Sequence, residues 1–366
     1  MASVTLKQIS KKYGKVVALD NFSLSVSDGE FTVILGPSGC GKSTALYCIA
    51  GLESVDSGEI FIGDKLVNDV EPRDRDVAMV FQNYALYPHM SVEENIAFPL
   101  KMHKASQDEI RSKVRQAAET LQIGHLLQRK PRQVSGGEAQ RVAVARAIVR
   151  EPVVFLMDEP LSNLDANLRL QTRVELKRLQ RNLKITTVYV THDQAEAMTM
   201  GDKVAVIQKG TLQQVGTPQQ IYSTPSDTFV ASFVGSPPMN LVTGEVEYGK
   251  NSEDETLFVS NDLTLKLPED IGHVLSQSNN PVEVLLGVRP EDLSILSKTS
   301  GLPVSGTVYE VEPLGSHSIV DVKVGETVLK VQEDAYFPLK LGGGVTVYLA
   351  AERLHLFNRS DGKIIV

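Results

Sequence analysis

Phe31-Thr32-Val33-Ile34-Leu35 runs directly into Gly36-Pro37-Ser38-Gly39-Cys40-Gly41-Lys42-Ser43-Thr44, and the fold turns on how these two stretches are read together. The first is a short apolar run of the kind that forms a buried strand. In the second, Gly36, Gly41, Lys42 and Ser43 satisfy G-x-x-x-x-G-K-[ST], and Ser43 to Leu52 reads as a helix. A glycine-rich loop between strand and helix has a definite chemistry. Its backbone N–H groups curl around phosphate oxygens, Lys42 reaches the β- and γ-phosphates, Ser43 supplies a Mg²⁺ ligand, and the helix N-terminus favours the anion.

Outward from this loop, strand and helix signals alternate. "SVTLKQIS" and "FSLSVSD" ahead of it read as an antiparallel prelude. Beyond it, Gln107 to Leu127 carries Ile110, Val114, Ala117, Ala118 and Leu121 at three-to-four spacing and predicts an amphipathic helix. Further helices are expected at Gln140 to Arg150 and Ala166 to Leu183, and strands at Val153 to Met157 and Thr186 to Thr191. This order implies an α/β unit with a mainly parallel sheet covered on both faces. Near Ser236 the turn-rich "GSPPMN" gives way to short β-like runs, "LTLKLPE", "VEVLLGV", "SIVDVKV" and "GVTVYLA". A domain boundary belongs there, with small antiparallel barrels or a sandwich of OB type beyond it.

Bulk properties narrow the function. A chain of 366 residues accommodates two or three domains. A net charge of −8 argues against a general nucleic-acid binder. Cys40 and Cys48, the latter beyond the loop, offer neither a disulfide framework nor a metal quartet, so a reducing compartment is expected. "MASVTLKQIS" lacks signal-peptide character, and no apolar run is long enough to span a bilayer, so any membrane role would be exerted from the side.

Two further stretches carry chemistry. "VVFLMDEP" ends an apolar strand on Asp158 and Glu159, at the edge where parallel sheets carry their sites. Asp158 is placed to hold Mg²⁺, and Glu159 to act as general base toward an attacking water. "VSGGEAQR" offers Ser135 with the N–H groups of Gly136 and Gly137 as a second phosphate-binding helix tip. Ser135 and Glu138 also form an ordinary S-x-x-E capping box, and the two readings are compatible.

The ordered set of Gly36–Thr44, Gln82 in "VAMVFQNY", Ser135-Gly136-Gly137, Asp158-Glu159, "SNLD" at Ser162 to Asp165 and "THD" at His192 resembles the ATP-binding-cassette (ABC) ATPases. "GSPPMN" at Gly235, "GVRPEDL" at Gly287 and "AERLHLF" near the end are similar to the ATPase subunits of maltose-type sugar importers. The resemblance implies a P-loop cassette over residues 1–235, with a mixed sheet and a helical subdomain at about 88–152. An OB-like, TOBE-type regulatory domain would occupy 236–366. It implies that Tyr13 stacks on adenine, that Gln82 joins the Mg²⁺ and water network and senses the membrane partner, and that His192 contacts the γ-phosphate and holds the water with Glu159. Glu138 would belong to the nucleotide contacts, and Asp165 would link the halves of a dimer.

Two copies, or one copy and a close paralogue, would bury ATP and Mg²⁺ head to tail on integral permease subunits at the cytoplasmic face of the membrane. An extracytoplasmic solute-binding protein would act indirectly, and a regulator would bind the C-terminal domain. Tyr84, Leu86, Tyr87, Met90 and Phe98 would line a cleft for a permease helix. The signature departs from the common pattern at Val134, where leucine is usual, and at Ala139, where a polar residue is more frequent. A sugar or sugar-like osmolyte is the expected cargo; polyamine, iron or sulfate systems are the alternative. A non-transport ABC ATPase would carry a coiled-coil arm or tandem cassettes, which this chain lacks. A regulatory binding module is the remaining class.

Overall fold

The computed structural model describes residues 2–248, 256–269, 271, 282–296, 301–334 and 339–366. The chain divides into two compact units, Met1–Gln220 and Ile221–Val366.

In the first unit β1 (Val4–Tyr13) and β2 (Val16–Val26) pair antiparallel. The buried β3 (Phe31–Leu35) then leads into α1 (Lys42–Ala50). β4 (Ser57–Ile62) and β5 (Lys65–Leu66) complete a sheet ordered β2-β1-β4-β5. After β6 (Val77–Val80), the helices α2 (Val92–Met102), α3 (Gln107–Thr120) and α4 (Gly136–Ile148) follow. The remaining elements are β7 (Val154–Asp158), α5 (Ala166–Leu183), β8 (Thr186–Thr191), α6 (Gln194–Met200), β9 (Lys203–Gln208) and β10 (Thr211–Gly216).

The second sheet runs β10-β9-β3-β8-β7-β6. All its pairings are parallel except β9 with β10, so it is mixed. β3, β7 and β8 are buried along their whole lengths, as a parallel sheet covered on both faces requires. α1 is sandwiched between the two sheets: Leu46 and Ile49 share one core with Leu6 and Ile60 of the first sheet and Ile34 and Val188 of the second.

The three helices α2, α3 and α4 have their own core, including Ile96, Val114, Ala118 and Val142. α3 stops at Thr120 instead of running to Leu127. Gln122 turns left-handed at φ 57°, its N–H reaches Glu119 O at 3.1 Å, and Ile123 N–H reaches Ala118 O at 2.9 Å. This closing pattern satisfies the last carbonyls and folds Ile123 and Leu126, both fully buried, back onto the helices. α4 begins at Gly136, earlier than its apolar pattern suggests, because Ser135 and Glu138 form a reciprocal capping box.

α7 (Pro218–Ser223) crosses the division between the units. In the second unit α8 (Thr228–Phe233) is tied to the chain end by Thr228 N–H to Gly362 O at 2.8 Å. β11 (Asn240–Tyr248), β12 (Thr256–Val259), β13 (Thr264–Lys266) and β14 (Val282–Val288) come next. They are followed by β15 (Leu293–Ser294), β16 (Gly301–Pro313), β17 (His317–Val324), β18 (Thr327–Asp334), β19 (Gly344–Ala350) and β20 (His355–Asn358). Among the described residues they form two antiparallel sheets, β13-β12-β11-β14-β20 and β15-β19-β16-β17-β18. Phe258, Leu286, Val320, Val331 and Leu349 share one core.

Candidate functional site

The register of the parallel sheet assembles the site. Leu35 pairs with Thr191, and Asp158 with Val190, so the loop after β3, the acid pair at the end of β7 and the His192 turn after β8 leave the sheet at one edge. Glycine is required where the loop passes close to other backbone. A Cβ on Gly41, whose φ is 107°, would stand 2.2 Å from Ala18 O, and one on Gly36 would stand 2.4 Å from Ile207 O. Ser38 and Gly39 form the exposed tip. Cys40 is buried, its carbonyl anchored by Gly210 N–H at 2.9 Å, and burial pushes its thiol pKa up.

Inside this loop Lys42 is almost fully buried and donates to Gly36 O at 3.0 Å and Pro37 O at 2.8 Å. Its Nζ lies 4.0 Å from Glu159 Oε1. Ser43 Oγ donates to Asp158 Oδ1 at 2.8 Å, and Tyr47 OH donates to Asp158 Oδ2 at the same distance. Burial, with the Asp158 hydrogen bond and charge adding to it, pushes the Tyr47 phenol up to about 12. Tyr47 was not singled out from the sequence. It lies one helical turn after Ser43, so the i,i+4 spacing was the signal that could have found it.

Glu159 sits in the left-handed region at φ 43°, a strained conformation for a non-glycine residue, and its N–H is held by Val190 O at 3.0 Å. Its Oε2 is 3.0 Å from His192 Nδ1. Lys42, Ser43, Asp158, Glu159 and His192 therefore form one linked group. Gln82 borders it: its amide reaches Ser162 Oγ at 3.3 Å, and Ser162 Oγ in turn donates to Glu159 O at 2.8 Å. No hydrogen bond joins Gln82 to Ser43 or Asp158 among the described residues. Tyr13 is exposed and lies under the Lys11 ammonium at 5.3 Å.

The other predicted residues stand elsewhere. Ser135 accepts from Glu138 N–H, and the Glu138 carboxylate returns to Ser135 N at 2.7 Å. A Cβ on Gly137 would be 2.8 Å from Leu168, so the tip of α4 packs on the first turn of α5. Asp165 caps α5 through Leu168 N–H at 3.0 Å. Among the described residues no hydrogen bond or ion pair connects Ser135, Gly136, Gly137, Glu138 or Asp165 with the loop at 36–44.

The aromatic cleft differs in part from expectation. Tyr87 and Phe98 line a cleft of about 440 Å³ with Met79, Phe81, Met102 and Arg146. Tyr84, Leu86 and Met90 do not line it. Leu86 packs on the core of the three-helix group, and the backbone turns at Tyr84 and Ala85, both at positive φ, where Arg146 takes their carbonyls at 2.8 and 2.7 Å.

The Mg²⁺ donor set is partial. Among the described residues no three His, Cys, Asp or Glu side chains converge to hold a metal alone. One hydroxyl and one carboxylate already in contact, Ser43 and Asp158, fit an ion that takes its remaining ligands from phosphate and water.

The fold and the site define an ABC-type ATPase. The chain matches the ABC transporter family over residues 19–162, the MalK OB fold domain over 235–293 and the TOBE domain over 286–357. It is 50% identical over its whole length to the trehalose/maltose import ATP-binding protein MalK of Thermococcus litoralis, which it also covers fully. It is 47% identical, again over all of both chains, to the sn-glycerol-3-phosphate import ATP-binding protein UgpC of Cupriavidus necator. With the maltose/maltodextrin import ATP-binding protein MalK of Vibrio cholerae it shares 46% identity over 99% of this chain and 96% of that one. Among solved structures it is similar to the dimeric post-hydrolysis cassette MJ0796 bound to ADP and Pi. That match has a TM-score of 0.54 and 32% identity, and covers 59% of this chain and 98% of the other.

The chain therefore belongs to the ABC transporter family. It is an ATP-hydrolysing subunit of the import type, a nucleotide-binding cassette followed by an OB-fold and TOBE region.

Proposed function

We propose that two copies of this chain close head to tail on ATP and Mg²⁺ and so power the import of a sugar or polyol, neutral or phosphorylated, through membrane permease subunits. The observation that carries this reading is the separation of two phosphate-binding devices. The loop at 36–44 is gathered with Asp158, Glu159 and His192, while among the described residues the Ser135 tip shares no bond with that group. A triphosphate held in the loop is gripped from one side only, and the tip of a second copy is the natural closure.

Phosphates entering the loop take Lys42 from the carbonyls of Gly36 and Pro37. Ser43 and Asp158 would hold Mg²⁺, which would supply charge neutralisation for the phosphate oxygens. Glu159 accepts the proton of the attacking water. Its bond to His192 Nδ1 orients both side chains and leaves His192 Nε2 for the γ-phosphate. Gln82 reaches the same segment through Ser162, Tyr13 offers its ring to adenine, and Glu138 and Asp165 complete the contacts of the closing copy. Positioning and charge stabilisation do most of the work in such a transfer.

The cleft at Tyr87 and Phe98 supports docking of a permease helix, and on this reading the chain works at the cytoplasmic face. Among the described residues no helix is long and apolar enough to cross a membrane. An extracytoplasmic binding protein would then choose the solute, and a regulator would bind the β-rich unit. The start of the MalK OB fold match at residue 235 supports a cassette over 1–235 and a regulatory region over 236–366, although the compact units themselves divide at Gln220 and Ile221. The names of the relatives favour sugars and a polyol phosphate over polyamines, iron or sulfate.

The test is nucleotide retention by the purified chain. The Glu159→Gln variant should carry unhydrolysed ATP through gel filtration, and adding Ser135→Arg should abolish that retention. Equal retention with and without Ser135→Arg would sink the two-copy site, and full hydrolysis by Glu159→Gln would remove Glu159 as the base.

A further inference from the structure

His192 is 52% exposed at its side chain, so burial does not hold it against Glu159. Its main chain is instead pinned on both sides. On one side Thr191 Oγ1 donates to Glu196 Oε2 at 2.7 Å and accepts from Asp193 N–H at 2.9 Å, while Tyr189 OH donates to the same Glu196 oxygen at 2.8 Å. On the other side Asp193 divides its carboxylate. Oδ1 caps α6 through Glu196 N–H at 3.0 Å, and Oδ2 faces Arg169 Nη1 at 3.4 Å. The second arm of the Arg169 fork, Nη2, donates to Leu164 O at 3.1 Å, on the residue just before Asp165. Arg169 N–H is itself bonded to Asp165 O at 2.9 Å. One guanidinium thus joins the turn ending at Asp165 to the turn carrying His192.

We propose that Arg169 is a positioning residue that couples the Ser162–Asp165 turn to His192, so that contact of a second copy at Asp165 sets the His192–Glu159 pair. This deepens the two-copy reading and rests on it. The contacts of Arg169 are with Asp193, Leu164 and Asp165, which is why its role is positioning. The planar fork is suited to the task because it offers donors in two fixed directions, one to a carbonyl and one to a carboxylate. Lysine, with a single donor centre, would serve one of them.

The experiment uses the full chain with MgATP and measures kcat, KM and nucleotide binding for Arg169→Ala, Asp193→Asn and the double variant. Asp193→Asn keeps an oxygen to cap α6 but presents an amide to Arg169, so it cuts the link while preserving the helix. Each single variant should lower kcat about fivefold, the size expected of a partly exposed charged contact, with ATP binding unchanged. The double variant should be no slower than either single one, because both remove the same link. A multiplied loss of about 25-fold in the double variant, wild-type kcat in both single variants, or a loss confined to KM would overturn the proposal. Should Arg169→Ala lower the melting temperature, Asp193→Asn carries the test. Glu159→Gln is run alongside. If it is inactive while both single variants are fully active, only the Arg169 link fails; if it hydrolyses ATP normally, the underlying site reading fails.

Discussion

Removing the Tyr47 hydroxyl tests the metal site at a residue that touches no phosphate. In the folded chain Asp158 receives two hydroxyl donors at 2.8 Å, one from Ser43 and one from Tyr47. If Ser43 turns to the proposed ion, Tyr47 would be the donor left to hold the carboxylate in place. A hydrogen bond to a charged acceptor contributes roughly 1.5–3 kcal/mol. Tyr47 is half-buried, which puts the value at the lower end. About 1.4 kcal/mol is tenfold in an equilibrium constant, so Tyr47→Phe should raise the half-activating Mg²⁺ concentration roughly tenfold. The assay is steady-state ATPase across a Mg²⁺ series at saturating ATP, with urea unfolding of the same samples as the stability control. The phenol pKa is raised from 10.0 to about 12, so its stabilising, protonated form is fully present below pH 10 and lost as pH climbs through 12. Any assay near neutrality therefore reads the intact donor. An unchanged Mg²⁺ midpoint would refute the assignment of Asp158 to the ion.

Two further outcomes are expected. Gly41→Ala places a methyl group 2.2 Å from Ala18 O on a backbone at φ 107°, so the loop must shift. ATP affinity should fall by a factor of about 5 to about 150, from strain of roughly 1–3 kcal/mol, and wild-type affinity by fluorescent-nucleotide titration would count against the loop geometry. Glu196 is buried, and that burial raises its pKa above the usual 4.5. Its folded form binds the proton more readily than the unfolded form, so stability is lost as pH rises from 4.5 through the folded value. Glu196→Gln, whose amide oxygen can take the Tyr189 and Thr191 hydroxyls, should therefore gain on the wild type between pH 5 and pH 8. The same difference in unfolding free energy at both pH values would contradict this.

What was legible in the sequence had a local cause. α5 begins at Ala166 and ends at Leu183 as read, because Asp165 caps its start and apolar spacing persists to its end. β8 occupies Thr186–Thr191 as read, and the loop after β3 lies between strand and helix. The misjudged end of α3 arose because Gln122, not glycine, takes the left-handed position that closes the helix. The aromatic stretch after Gln82 was harder still. With Tyr84 at φ 61° and Ala85 at φ 47° the backbone follows neither helical nor strand period, so composition could not say which side chains face the cleft. Arg169 was illegible for a different reason: its partner Asp193 is 24 residues away, and nothing in the sequence pairs them.

The lysine at the heart of the loop is held by two carbonyls of the loop itself. With Lys42 satisfied by the carbonyls of Gly36 and Pro37, ligand capture on the proposed reading would be a swap of partners, not the filling of an unmet charge. A lone small anion gains little from such a swap, whereas a ligand with several phosphate groups has more contacts to offer in exchange. Such an exchange would run in both directions: on the proposed reading the same two carbonyls would take the ammonium back when the ligand leaves.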